Sequence, residues 1–193
     1  RVVVQLGGQT PLNMAEELQA AGAEIVGTSV EQIRRSEDRQ LFAEAVAKMG
    51  LRQPANRSAF KREDVSVLAR EIGFPVLLRP SFVLGGRSMM IAYTEEELDT
   101  FLAQGIPVSG DRPVLVDQFL EDAFEYDLDA VADGENLYIG GILQHIEAAG
   151  IHSGDSAAVF PPYKSTPGIL DAMREAARII AREFDIIGFL NIQ

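Results

Sequence analysis

The apolar residues change their spacing several times along the chain, and this change constrains the fold more than any other feature. Short apolar runs predict buried strands, and segments in which apolar residues recur every three or four positions predict helices. Val2–Leu6 is the first run, and Met14, Ala15, Leu18 and Ala21 share one face of the helix that follows. Strands and helices therefore alternate from the start, which predicts a mixed α/β protein.

Residues typical of helix ends flank this first helix. We predict Thr10 as its N-cap, Pro11 at its first helical position and Gly22 as its end. Residues 24–26 form a second predicted strand. A strand, a helix and a strand in this order predict a parallel β-α-β unit.

The central part of the chain predicts a small α+β unit between residues 52 and 118, preceded by two helical pieces over residues 30–49. One helix of the unit covers 63–72, and a second follows Thr94, which forms a capping box with Glu97. The predicted strands of the unit cover 76–79, 89–93 and 114–118.

The last third of the chain predicts a hairpin, a long helix and a final strand. Residues 125–132 and 137–143 read as antiparallel strands joined through the turn Asp133-Gly134. A helix over 166–184 follows, and a strand over 188–193 returns to the sheet. Because that strand would be an unfinished sheet edge, we expect the chain to be a fragment.

Composition excludes several classes of function. Asp plus Glu number 29 against 17 Lys plus Arg, and the net charge of −12 disfavours nucleic acid and anionic membranes as partners. The absence of cysteine excludes thiolate metal sites, and the presence of two histidines disfavours a multi-histidine metal centre. No apolar run approaches the roughly 20 residues that cross a bilayer. We therefore expect a soluble, cytoplasmic protein.

The segment Arg-Pro-Ser-Phe-Val-Leu-Gly-Gly-Arg at 79–87 is the strongest local signal of chemistry. Glycines let the backbone close over a polyanion, and an arginine at the base of the loop can hold a phosphate through two hydrogen bonds. The alternative is an ordinary hairpin whose glycines only supply positive φ. The segment is not a Walker A motif, since no Gly-Lys-Ser/Thr follows.

An acidic bend at 116–127 connects a strand of the small unit to the next strand. A nucleotide base can bind such a linker, and a nearby carboxylate can accept hydrogen bonds from ribose hydroxyls. Glu125 is the candidate for the ribose, whereas Glu121 and Asp122 read as a solvated acidic loop.

Both histidines lie in the segment 144–156, and we expect its polar stretch Gly-Ile-His-Ser-Gly-Asp-Ser at 150–156 to be exposed. His152 and Ser153 could donate to phosphate or ribose, and an exposed loop histidine without a function is the alternative. A hydrolase triad that uses Ser153 and His145 is disfavoured, because no Gly-x-Ser-x-Gly turn is present. At the C-terminus, Asn191 and Gln193 share one side of a strand, and Gln193 could bind a metal ion through its side-chain oxygen.

Four segments together resemble the second ATP-grasp half of the carbamoyl phosphate synthetase large-subunit family. They are Gly-Gly-Gln-Thr-Pro-Leu at 7–12, Ser-Glu-Asp-Arg at 36–39, the segment at 79–87, and His-Ile-Glu-Ala-Ala-Gly-Ile-His-Ser-Gly-Asp-Ser at 145–156. The resemblance implies an ATP-grasp fold, truncated at its C-terminus and preceded by the last β-α-β of a Rossmann-like pre-ATP-grasp domain. The implied domains are the pre-ATP-grasp end at 1–28, a helical hinge and small lobe at 29–120, and an incomplete large lobe at 121–193.

The same resemblance implies roles for individual residues. Arg39 and Arg79 would contact the ATP phosphates, Arg79 and His152 would be catalytic, and Gln193 would be the first metal ligand. Adenine would meet the main chain of Gln118 and Leu120, and the ribose would meet Glu125. The remaining implied residues are Gly85 and Gly86 in a loop over the phosphates, and Gly150, Ile151, His152 and Ser153 in the inner wall.

In the family, the second half transfers a phosphoryl group from ATP, with Mg²⁺ or Mn²⁺, to carbamate and so supplies carbamoyl phosphate for arginine and pyrimidine synthesis. The implied partners are the rest of the large subunit and a glutaminase small subunit. The strand pair that supplies the metal-binding glutamate and asparagine in the family lies beyond residue 193. We therefore expect the isolated segment to be weak or inactive.

Two other functions compete with this interpretation. Another ATP-grasp ligase, such as a biotin carboxylase or a purine-pathway enzyme, should have a lysine in place of Arg79 and a different wall from residues 150–153. A non-catalytic nucleotide-binding or subunit-docking module is the second alternative.

Overall fold

The computed structural model describes residues 1–6, 8–80, 89–104, 108, 113–147 and 156–193, without the side chains of Arg39 and Pro80. The helices in these ranges are α1 Gln9–Asn13, α2 Ala15–Ala20, α3 Val30–Glu37, α4 Arg39–Lys48, α5 Arg62–Ile72, α6 Glu95–Ala103 and α7 Pro167–Glu183. The strands are β1 Asn56–Ala59, β2 Val76–Pro80, β3 Met90–Ala92, β4 Val114–Gln118, β5 Tyr126–Asp133, β6 Leu137–His145, β7 Ala158–Val159 and β8 Ile187–Ile192.

The chain forms two compact units, one of residues 53–122 and one that combines residues 1–52 with 123–193. Each unit contains an antiparallel four-stranded sheet, with strand order β1-β4-β2-β3 in the first and β7-β6-β5-β8 in the second. The mixed α/β architecture predicted from the sequence is confirmed. The domain boundaries expected near residues 28 and 120 stay predictions.

The unit of residues 53–122 packs one face of its sheet against α5 and α6. Val76, Leu78, Val114 and Val116 point to these helices and are buried with Leu98 of α6. Because side chains alternate along a strand, Leu77, Arg79, Leu115 and Asp117 lie on the other face. The strands and helices predicted here are confirmed, but strand β1, which pairs with β4, was not predicted.

Helix α7 covers one face of the second sheet. Leu128 and Ala130 of β5 and Ile142 of β6 form a core cluster with Ala177 of α7. Strand β8 lies antiparallel beside β5, with Leu128 opposite Ile192. The predicted hairpin, long helix and final strand are therefore confirmed.

A register shift interrupts the β5–β6 pairing. Asp129 is opposite Gly141, whereas Ala130 is opposite Ile139, so Gly140 has no residue opposite it. Such an extra residue is a β-bulge.

The N-terminal segment has the predicted parallel connection. Val2 and Ile25 form a parallel bridge, and Val4 and Ala15 are buried with residues of α3. The predicted cap at Thr10 is wrong: α1 begins at Gln9, its N-cap is Gly8, and no side chain caps it. Pro11 is tolerated at the third position of α1, because the first four N–H groups of a helix have no partner within it.

Threonine caps two other helices, and the cap at Thr94 was predicted from the sequence. Thr94 Oγ1 accepts a hydrogen bond from Glu97 N, which confirms Thr94 as the N-cap of α6. The Glu97 carboxylate accepts its hydrogen bond from Tyr93 N, one residue before the N-cap of the predicted capping box. Thr166 caps α7 in the same way through Ile169 N. None of the helices in the described ranges has the length and apolar composition needed to cross a membrane. The cytoplasmic location stays a prediction.

Candidate functional site

Arg79 and Asp117 form an ion pair on the helix-free face of the first sheet. They lie on neighbouring strands, with Leu77 opposite Asp117 and Arg79 opposite Leu115. Arg79 Nε donates to Asp117 Oδ2 at 2.7 Å, and Nη2 contacts the same oxygen. The Asp117 side chain is 11% exposed and that of Arg79 is 39% exposed. Asp117 therefore holds the guanidinium in place from below, while further N–H groups of Arg79 can reach a ligand.

The main chain after β4 offers hydrogen-bonding groups at Leu120. Gln118 binds the backbone of Ala55 through two hydrogen bonds. Its own N–H donates to Ala55 O at 2.7 Å, and its side-chain Oε1 accepts from Ala55 N at 3.3 Å. Leu120 is exposed, and no described residue accepts a hydrogen bond from its N–H. A ligand with an acceptor of its own can therefore bind there.

The helix-free face of the second sheet carries a group of polar side chains, which we call the polar face. Glu125, Asp127 and Asp129 follow one another at alternate positions, and His145 and Asn191 lie on the neighbouring strands. His145 N donates to Glu125 O at 2.9 Å, which places these two residues directly opposite each other. The face thus combines three carboxylates, an imidazole and an amide.

His145 is the buried member of the polar face, with a side chain that is 1% exposed. Its Nε2 lies 2.8 Å from Asp127 Oδ2, and its Nδ1 lies 3.7 Å from Glu125 Oε2. Strand β6 extends to His145, and the imidazole packs between the two carboxylates. The stretch predicted to be exposed, 150–156, lies outside the described residues except for Ser156. No described residue makes a hydrogen bond with Nδ1.

The C-terminal amides extend the polar face along β8. Asn191 Nδ2 donates to Asp129 Oδ1 at 2.9 Å. Gln193 follows the end of β8, and continuing the register of Leu128 and Ile192 places it opposite Asp127. In the described ranges, no group of three or more Asp, Glu, His or Cys side chains could hold a metal ion. Amide and carboxylate oxygens are nevertheless the donor type that Mg²⁺ prefers.

Glu147 and Ser156 flank the segment 148–155. The Ser156 hydroxyl donates to Glu147 Oε2 at 2.9 Å, and this hydrogen bond holds the pKa of the Glu147 carboxyl below its usual range. Several predicted site residues lie outside the described residues, namely Gly85, Gly86, Gly150, Ile151, His152 and Ser153. The side chain of Arg39, the first residue of α4, is likewise outside them.

Sequence analysis missed two acidic residues of these sites, Asp117 and Asp127. A charged residue at the end of the apolar run Val114-Leu-Val116 is the signal that could have identified Asp117. Asp127 gave a weaker signal, because it is one of three aspartates at alternating or near-alternating positions of β5, and the other two, Asp129 and Asp133, are solvent-exposed.

Two family models match the chain. The first is described as the Carbamoyl-phosphate synthase L chain, ATP binding domain, and matches residues 38–193. The second is described as the Carbamoyl phosphate synthase preATP-grasp domain and matches residues 1–35. Together they cover nearly the whole chain.

Curated relatives agree with the family models. The carbamoyl phosphate synthase large chain of Kocuria rhizophila is 54% identical over 192 residues, which is 100% of this chain and 17% of that protein. The C-terminal section of the carbamoyl phosphate synthase large chain of Aquifex aeolicus is 48% identical over 100% of this chain and 36% of that protein. The chain thus spans about a sixth to a third of the length of these relatives.

Solved structures show the same fold at low sequence identity. A biotin carboxylase complex from Campylobacter jejuni has a TM-score of 0.73 and 18% identity, covering 93% of this chain and 42% of that one. D-alanyl-alanine synthetase A from Vibrio cholerae has a TM-score of 0.72 and 12% identity, covering 97% of this chain and 59% of that one. The likeness shows an ATP-grasp fold.

Proposed function

The chain belongs to the carbamoyl phosphate synthase large-chain family, and on that premise we propose that the full-length protein phosphorylates carbamate with MgATP to give carbamoyl phosphate. The match to a relative named as a C-terminal section supports assignment to the second, carbamate-phosphorylating half. We further propose that the product serves arginine and pyrimidine synthesis. The proposed partners are the rest of the large subunit and a glutaminase small subunit.

The Arg79–Asp117 pair is the observation that carries this proposal. Phosphoryl transfer needs positive groups positioned around the phosphate oxygens before the reaction, because charge spreads over those oxygens in the transition state. A guanidinium that is hydrogen-bonded to a buried carboxylate is such a group, since the carboxylate holds its side-chain conformation before the phosphate binds. Arg79 would therefore bind the ATP phosphates, together with Arg39 and His152.

Other residues would hold the rest of the nucleotide. The main chain of Gln118 and Leu120 would meet the adenine, and Glu125 would accept hydrogen bonds from the ribose hydroxyls. Gly85 and Gly86 would belong to a loop that covers the phosphates and excludes water from carbamate, which decomposes readily in water. Residues 150–153 would form the inner wall.

A divalent cation, Mg²⁺ or Mn²⁺, would be held in part by the side-chain oxygen of Gln193, because this amide is the hard donor type that such ions take. When bound, the ion neutralises charge on the phosphate oxygens. Since this chain spans 17% to 36% of its relatives, we propose that the segment by itself binds MgATP weakly and does not complete the reaction.

Substitution of Arg79 in the full-length protein tests the proposal. We expect Arg79→Ala to lower the rate of ATP-dependent carbamoyl phosphate formation by about 100-fold, comparable to the loss of one preorganised donor. The rate of Arg79→Lys should lie between those of the wild-type protein and Arg79→Ala, because a lysine keeps the charge but not the paired hydrogen bonds. The readouts are product formation and the dissociation constant of ATP by calorimetry.

Arg57→Ala is the matched control, because Arg57 is an exposed arginine on β1 of the same sheet. It is paired with Val116, whereas Arg79 is paired with Leu115. It should leave both readouts near the wild-type values. An Arg79→Ala protein with wild-type ATP affinity and rate would overturn the phosphate assignment. ATP turnover that is independent of carbamate would favour another ligase of the same fold.

A further inference from the structure

A row of three exposed apolar side chains, which we call the apolar stripe, crosses the helix-free face of the second sheet. Val131 of β5 is opposite Tyr138 of β6 and also opposite Phe189 of β8. Directly opposed residues of neighbouring strands point to the same side of a sheet, so the three side chains are neighbours across three strands. Val131 follows Asp129 by two positions and therefore shares the side of the polar face.

The apolar stripe exposes more apolar surface than isolated surface residues do. Tyr138 is 76% exposed, Phe189 is 61% exposed and Val131 is 44% exposed. An aromatic side chain offers about 150–250 Å² of surface for burial, so the two rings alone leave roughly 300 Å² of mostly apolar surface in water. Contiguous apolar patches of this size on a folded protein are often sites of interaction.

Carboxylates border the apolar stripe along β5 and at the hairpin turn. Asp129 lies two positions before Val131 and Asp133 two positions after it, and both are exposed. The backbone N–H groups of Glu135 and Asn136 donate to Asp133 Oδ1 at 2.9 Å and 2.7 Å, which holds that carboxylate in place. An apolar centre with a polar rim is the usual anatomy of a protein interface. Because this rim is acidic, the complementary surface is basic at its edge.

A nucleotide does not account for the apolar stripe. Glu125, the residue proposed to bind the ribose, precedes Val131 by six positions, which is about 20 Å along an extended strand. The stripe itself has one polar side-chain group, the Tyr138 hydroxyl, whereas phosphates bind to cations and to several N–H donors. The stripe therefore suits another protein segment better than a small polar ligand.

We propose that a segment of the rest of the full-length large chain covers the apolar stripe with apolar side chains and carries lysine or arginine at its edge. This inference rests on the proposed partnership with the rest of the large subunit. The chain spans 17% to 36% of its relatives, so most of such a polypeptide lies outside these residues. A covalently joined segment has a high effective concentration at the stripe, which favours it over a separate protein with the same surface chemistry.

Oxidative footprinting of the full-length large chain tests whether the stripe is covered. Hydroxyl radicals oxidise exposed aromatic side chains, and mass spectrometry gives a rate for each one, which is divided by its rate in the unfolded protein. Tyr163 is the matched control for Tyr138, and Phe60 is the control for Phe189, because both controls are exposed aromatic residues of the same type. We expect the two residues of the stripe to be oxidised several times more slowly than their controls.

The footprint is measured on the large chain alone and at several protein concentrations, which separates the possible occupants of the stripe. Protection that depends neither on concentration nor on the small subunit supports the rest of the same chain. Protection that increases with concentration would indicate a second copy, and protection that requires the glutaminase subunit would indicate that protein. Either result would overturn the proposal, and so would normalised rates in the stripe as high as those of the controls.

Substitution at the centre of the stripe tests the apolar contact. Val131→Asp adds a charge between two existing carboxylates and should raise the oxidation of Tyr138 and Phe189 to the control rates, while slow amide hydrogen exchange in β5 shows that the sheet is still folded. Val131→Thr keeps the shape and should cause a smaller rise, and it gives the answer if the aspartate disrupts the sheet. Val67→Asp, at an exposed position of α5, should change neither rate. Continued protection in both Val131 variants would contradict the apolar contact.

Carbamoyl phosphate formation, measured on the same samples, distinguishes this inference from the proposed function. A covered stripe in a large chain that phosphorylates no carbamate would leave this inference standing while the proposed function fails. An uncovered stripe in an active protein would overturn this inference alone.

Discussion

In the sheet of residues 53–122 the more buried partner of the side-chain contact is an acid, whereas in the second sheet it is a histidine. Asp117 lies beneath Arg79 and leaves a cation at the surface of the first sheet. His145 lies beneath Glu125 and Asp127 and leaves carboxylates at the surface of the second. The same two-faced architecture thus presents opposite charges, because the buried partner decides which charge is displayed.

The two sheets pack against separate core clusters, and truncating one buried side chain in each unit tests this separation most strongly. In the first unit, Leu98 of α6 is 0% exposed and packs against the sheet. In the second unit, Phe184 is 1% exposed and stacks on Phe42. We expect Leu98→Ala to cost about 2–5 kcal/mol and Phe184→Ala about 3–5 kcal/mol of unfolding free energy. Hydrogen exchange of the full-length protein should rise mainly within the unit that carries the change.

The controls for these truncations are Val67→Ala on α5 and Ile169→Ala on α7, since both side chains are about half exposed. Each should change stability by less than about 0.5 kcal/mol. Exchange that rises equally in both units after Leu98→Ala would show that the two sheets share one cooperative core.

Equivalent helix caps in the two units allow a second comparison of stability, in which the expected losses of unfolding free energy are smaller. Thr94 caps α6 in the first unit and Thr166 caps α7 in the second, each through its side-chain oxygen. Thr94→Ala and Thr166→Ala should each lower the unfolding free energy by about 1 kcal/mol, and the serine variants should retain most of it. Denaturant titration measures the loss, and a serine variant as unstable as the alanine variant would contradict the capping role.

The smallest expected effect is a difference in acid sensitivity. Arg35 and Lys48 hold the pKa of Glu183 below its usual range, and Arg70 does the same for Glu95 in the other unit. A lowered carboxyl pKa stabilises the fold above the ordinary value and loses that contribution as the pH falls through the lowered one, that is, below about pH 4. Glu183 is 21% exposed and Glu95 is 46% exposed, so the loss should be larger for Glu183.

Unfolding followed between pH 6 and pH 3 measures this difference. Glu183→Gln should flatten the acid dependence more than Glu95→Gln does, because water screens the more exposed pair more effectively. A larger change in Glu95→Gln would reverse the ranking of the two pairs.

The sequence predicted most elements because their own residues specify them. Thr94 with Glu97 identifies a helix start, and Asp133-Gly134 identifies the hairpin. Strand β1 escaped prediction because Asn56-Arg-Ser-Ala59 is short and mostly polar, and only its pairing with β4 makes it a strand. Local propensity does not contain that information.

The site residues were predictable to the extent that a motif carries them. Arg79 and Glu125 belong to segments with a recognisable pattern, and both contact a partner of opposite charge or an imidazole in the structure. The partners Asp117 and His145 could not be assigned from the sequence, because their contacts depend on which strands are neighbours and on the pairing register. The phosphate, metal and ribose roles themselves stay predictions.

The extra residue at Gly140 determines which side of the second sheet receives the histidine. Leu137 and Ile139, before the bulge, have odd numbers and pack toward α7, whereas Ile142 and Gln144, after it, have even numbers and are buried on that same side. The bulge thus changes which residues of β6 face α7, from the odd-numbered ones before it to the even-numbered ones after it. If β6 kept Gly140 but alternated regularly, without the bulge, Gln144 would lie on the polar face and His145 would lie in the apolar core beneath α7. The bulge at Gly140 therefore determines that an imidazole, and not the amide of Gln144, lies on the polar face five residues further along β6.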